Sequence, residues 1–141
     1  MMKHFYDKKI YILLVMLCCI QHSYSQTKAE KLGKATIDYI DAIAWAKALK
    51  ESKCGKFEKK EDKFWSNPNL AIEYATKNSE KYTTENERAR MKKILEELVV
   101  FSKKQNLEFY NSLHSSDCEK VVKQFQGEYE KRMNIYNNLL K

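Results

Sequence analysis

The sequence predicts an all-α domain: a small up-down-up-down bundle of about four helices, the second one short, stapled by one disulfide and preceded by a signal peptide. Three observations lead there. Apolar residues recur at spacings of three and four over long stretches, the signature of amphipathic helices. Helix-starting residues stand at the heads of those stretches, while the whole chain holds only three glycines and one proline. Finally, two of the four cysteines fall inside the leader, which leaves one pair, Cys54 and Cys118.

The leader comes first. Lys3, His4, Lys8 and Lys9 face a single acid, Asp7, and the unbroken apolar run Ile10 to Ile20 follows. A polar, small-residue segment then places Ser23 and Ser25 at the −3 and −1 positions of a cleavage site. Residues 1–25 therefore read as a cleavable secretory signal peptide, cut between Ser25 and Gln26, with 26–141 as a single domain. A membrane anchor needs about 20 apolar residues, and this run has 11. Lipid attachment asks for a small residue before the cysteine, whereas Leu17 precedes Cys18 and Cys18 precedes Cys19.

The first helix of the domain is expected from about Lys28 to Ser52. Leu32, Ala35, Tyr39, Ala42, Ala46 and Leu49 form its stripe, Thr36 and Ile43 widen it, and Gly55 stands just beyond as a left-handed cap. A charged connector, Lys56 to Ser66, carries Phe57, Phe64 and Trp65, which need a surface to pack on. Asn67-Pro68 then opens the second helix, an N-cap residue followed by proline where its missing N–H costs nothing; this helix fades near Tyr82. Thr84 with Glu87 makes a capping box for the third, whose stripe is Met91, Ile94, Leu95, Leu98, Phe101 and Phe109. Ser116 with Glu119 suggests a second capping box for the fourth, striped by Val122, Phe125, Tyr129, Met133, Tyr136 and Leu140. In an up-down-up-down bundle the first and third loops share one end. Cys54 and Cys118 flank those loops, so a disulfide between them fits both the topology and an oxidising compartment.

Charge limits the partners. The chain carries +7 in all, and without the leader 23 basic and 18 acidic residues leave +5. The signs alternate instead of forming a block, which argues against a nucleic-acid footprint. Lys59-Lys60, Lys92-Lys93 and Lys103-Lys104 read as solvated surface, with weak contact to an anionic envelope polymer as the functional alternative.

No catalytic constellation stands out, and no cofactor or metal is expected. The domain has one histidine, His114, and no HExxH, Glu-x-x-His pair, CxxCH or glycine-rich phosphate loop. Met133 with His114 could ligate haem, but Met133 sits on an apolar stripe where methionine is core filler. Asp38 and Asp41 lie one turn apart on the polar side of the first helix, with Lys34 in reach of Asp38; Glu96-Glu97 and Glu128/Glu130 read as solvated acids.

Four apolar or aromatic residues fall off the expected stripes and form the candidate interface: Trp45 on the first helix and Val100, Leu107 and Tyr110 on the third. Either the connector covers them or a partner does. The expected function is accordingly a non-enzymatic, exported protein-binding or interaction protein of the bacterial envelope, periplasmic or secreted. Small exported, disulfide-stapled helical proteins include inhibitors and immunity proteins, an analogy of architecture and compartment only. The alternatives are a small-ligand carrier with a cavity near Tyr39, Tyr129 and Tyr136, and a structural envelope protein.

Overall fold

The computed structural model describes residues 27–57 and 67–141. Residues 1–26, with the expected leader, and 58–66, with Phe64 and Trp65, lie outside the described residues. Four helices follow in order: α1 Lys28–Glu51, α2 Pro68–Asn78, α3 Glu85–Ser112 and α4 Ser115–Leu139, with a short 3-10 turn at Gly55–Phe57. The described residues contain helices and no strands, in the expected up-down-up-down order.

The helix starts follow local chemistry. The Thr27 hydroxyl accepts from Glu30 N–H while the Glu30 carboxylate accepts from Thr27 N–H, a reciprocal capping box at the head of α1. Asn67 caps α2 through Leu70 N–H, with Pro68 at the first position. Thr84 and Glu87 repeat the box for α3, and that hydrogen bonding holds the Glu87 carboxyl below its ordinary value. α2 ends earlier than Tyr82 because the Ser79 hydroxyl turns back to the Thr76 carbonyl and meets Thr83, tightening the chain toward the next cap.

α4 departs from the expected start. His114 is its N-cap and makes no side-chain capping bond, so Ser116 and Glu119 form no box. The helix begins at Ser115, which already places Ser116 inside the first turn. Gly55 is not a left-handed cap either: it lies in the 3-10 turn. A Cβ there would stand 2.7 Å from the Lys50 carbonyl oxygen, so glycine serves close backbone approach, not a positive φ.

α1 is the central element, touching each of the other helices, and α3 and α4 pack chiefly on it rather than on each other. Its alanines make this feasible. Ala42, Ile43, Ala44, Ala46, Ala48 and Leu49 are all fully buried, and small side chains on several faces let neighbouring helices approach closely. A one-sided stripe could not bury three consecutive residues, Ala42 to Ala44. Tyr39 of α1 stacks on Tyr136 of α4 at 5.0 Å, and Tyr74 of α2 meets Tyr136 edge-on at 6.2 Å. Asn78 donates to the Tyr136 hydroxyl at 3.2 Å, while burial raises that phenol above its ordinary pKa.

At the opposite end, Cys54 and Cys118 form a disulfide with their Cα atoms 5.2 Å apart. Both cysteines are buried, and Lys53 N–H donates to Asn111 Oδ1 at 3.1 Å beside them. Closing a loop of 64-residue separation contributes about 4 kcal/mol in the chain-entropy account.

Candidate functional site

Two regions carry chemistry or contact potential, and α3 contributes to both. The first is a polar pin between α1, α3 and α4. Asp41 of α1 accepts from the Ser102 hydroxyl of α3 at 2.6 Å and from Arg132 Nη1 of α4 at 3.0 Å. Arg132 Nη1 also donates to the Asp38 carbonyl at 3.0 Å, and its Nε pairs with Glu128 at 3.1 Å. The guanidinium lies 4.7 Å from the centre of the Trp45 ring, and that ring tilts against Phe125 at 5.5 Å. Asn106 donates to both the carbonyl and the hydroxyl of Ser102.

Electrostatics in the pin follow from burial. The Arg132 and Asp41 side chains are 18% and 16% exposed. Burial works against the Arg132 charge, but Glu128 and Asp41 outweigh it and raise its pKa. Burial also raises the Asp38 carboxyl, partly offset by Arg132 and Lys34. Asp38 and Asp41 are therefore not simply solvated acids on a polar face; they flank the seam into which Arg132 inserts. The Ser102 hydroxyl is buried and already donated. What this arrangement does is tie three helices together with mutually neutralised charge.

Sequence reasoning missed Arg132 and Ser102, although a signal for the first existed. Cys118, Val122, Phe125, Tyr129, Arg132 and Tyr136 follow alternating spacings of four and three, so Arg132 occupies the buried seam of α4. A charge on such a seam implies a partner across it.

The second region is the outward face of α3. The inner seam of that helix is Leu95, Ser102 and Tyr110, with Met91, Leu98, Val99 and Leu107 packed partly against the core. Relative to the expected stripe this seam is rotated, leaving Phe101 and Phe109 exposed. The rotation follows from Ser102, a polar residue drawn inward by Asp41. Val100 points the other way and is 71% exposed, with Phe101 beside it at 41%. Lys93, Glu96, Glu97 and Lys104 frame these two side chains along a shallow groove.

The four candidate interface residues thus separate. Val100 is on the open face. Leu107 is packed partly against the core, and Trp45 is half-buried between Phe125 and Arg132. Tyr110 is buried at 2% exposure, so it is a core residue and not a surface one. Burial pushes its phenol well above the ordinary range, with Asp41 adding to the effect. His114 and Met133 are not brought together: His114 caps α4, and 19 residues of helix at 1.5 Å each set Met133 about 28 Å along it.

Among the described residues no group of three or more histidine, cysteine or acidic side chains could hold a metal ion. No described helix is long and apolar enough to cross a membrane. Comparison with protein-family models, curated proteins and solved structures finds no significant match to this chain.

Proposed function

We propose that this is an exported interaction protein, released by cleavage between Ser25 and Gln26, that binds another protein through the outward face of α3. The observation that carries this reading is Val100, a β-branched residue at 71% exposure next to Phe101, on the side of the helix opposite its core seam. Single exposed apolar residues are ordinary, but adjacent ones framed by charges resemble the centre and rim of a small contact. The buried disulfide is in keeping with an oxidising compartment. The carrier alternative draws no support from Tyr39 and Tyr136, whose rings stack directly on each other.

The test is affinity capture with oxidised protein from its own envelope and secreted fractions, read by mass spectrometry and compared with Val100→Lys. A stoichiometric partner whose retention drops at least about tenfold in the variant supports the reading. Equal retention by both proteins removes the α3 face from it.

A further inference from the structure

The charges around Val100 have a symmetry that names a partner. Along α3 the order is Glu96, Glu97, Leu98, Val99, Val100, Phe101, Ser102, Lys103, Lys104. Acids stand three and four residues before Val100, and bases stand three and four residues after it. We infer that the outward face of α3 docks a second copy of this chain, antiparallel, about a two-fold axis passing at Val100. This rests on the reading of that face as an interface and specifies what covers it.

An antiparallel two-fold sets residues before Val100 opposite residues about as far after it that lie on the same flank of the other copy's helix. At about 100° per residue Glu97 and Lys104 share one flank of Val100, and Glu96 and Lys103 share the other. The two-fold keeps each flank on its own side, so Glu97 faces Lys104 and Glu96 faces Lys103, each pair occurring twice by symmetry. Lys93 falls opposite Leu107, where its aliphatic stem can cover a half-buried apolar side chain. The two Val100 side chains meet at the axis, the most exposed apolar position on the molecule's described surface of large hydrophobics. A parallel arrangement would instead put Glu96 on Glu96 and Lys104 on Lys104, so the charge order itself selects the antiparallel one.

The groups are available for this. Glu96, Glu97 and Lys104 are all exposed, and they make no ion pair among the described residues. Lys103 is the exception, being held 2.7 Å from Glu51, so the new pairs rest chiefly on Glu97 with Lys104. One helix face lies at or below the roughly 1,200 Å² at which stable interfaces begin. The association belongs to the weak, salt-sensitive class.

The experiment is sedimentation of the oxidised protein, produced from its full sequence, up to about millimolar concentration, since interfaces of this size are weak. Glu97→Lys and Lys104→Glu are surface changes that leave the core untouched. Each alone puts like charges together twice and is expected to weaken self-association at least about tenfold. An equimolar mixture of the two variants restores every pair in the heterodimer and is expected to recover to within about threefold of the unaltered protein. A protein that stays monomeric throughout overturns the inference, as does a dimer indifferent to both variants or a mixture that does not recover. If the protein is monomeric yet Val100→Lys still abolishes capture of a different partner, the interaction reading stands and the second copy is refuted.

Discussion

Replacing Arg132 with methionine isolates the polar pin, because methionine keeps most of the aliphatic stem and removes the charge. Four interactions disappear, and the hydrogen bond to the Asp38 carbonyl is taken together with the Asp41 pair because the same Nη1 makes both. The pair with Asp41 joins side chains that are 18% and 16% exposed. Breaking a fully buried pair costs 3–5 kcal/mol, and residual solvent contact plus the surviving Ser102 bond reduce this to about 2 kcal/mol. The i,i+4 pair with Glu128, whose side chain is 41% exposed, adds only about 0.4 kcal/mol. The guanidinium over Trp45 adds about 0.7 kcal/mol. Arg132→Met is therefore expected to destabilise by about 3 kcal/mol, lowering Tm by about 12 °C for a domain of this size.

Urea unfolding of the oxidised protein, followed by far-UV circular dichroism, measures this directly. The sharper readout is a reversal of sign. In the unaltered protein Asp41→Asn weakens the pin and costs about 1 kcal/mol. In the Arg132→Met background the same change removes an orphaned carboxylate while keeping an acceptor for Ser102, and it should stabilise by about 1 kcal/mol. A loss below about 0.5 kcal/mol for Arg132→Met, or the same Asp41→Asn effect in both backgrounds, would refute the reasoning.

Two further outcomes follow from the same geometry. The folded-state pKa of Asp38 is raised, chiefly by burial, so its ionised form opposes folding: stability is fully retained below the ordinary value of 3.8 and lost as pH rises through the folded pKa. Asp38→Asn should accordingly stabilise the protein at neutral pH, with the gain vanishing in denaturation curves taken below that ordinary value. Gly55→Ala drives a Cβ to 2.7 Å from the Lys50 carbonyl oxygen and should cost about 1–3 kcal/mol. Gly127→Ala, with nothing within 4 Å and a helix-interior position in α4, should gain about 0.5–1 kcal/mol. Calorimetry on the pair checks both signs.

The helix heads at Asn67 and Thr84 were readable because capping is local: a side chain three residues away suffices to define it. The Cys54–Cys118 bridge was readable because setting the expected leader aside leaves one pair and bundle topology brings its ends together. The α3 seam was not, since Ser102 looks polar until Asp41 is known to wait across from it. Arg132 was obscured for the same reason. Long-range polar pairing inverts the hydrophobic pattern on which face assignment depends, so each error sits where one helix recruits a polar group from another. Tyr110 shows the converse, an aromatic that falls off the expected stripe only because the true seam lies one position around the helix.

The disulfide also fixes how the fold would answer to mechanical load. α1 and α4 run antiparallel, with Thr27 and Lys141 at the end remote from Cys54–Cys118. A pull applied at those two residues separates the helices like a zip, one turn after another, instead of shearing them all at once. The rupture halts at the covalent clasp, after freeing residues 27–54 and 118–141 alone. α2 and α3 lie within the clasped loop, so tension bypasses them, and the α3 face stays off the force-bearing path while the rest of the domain is drawn out.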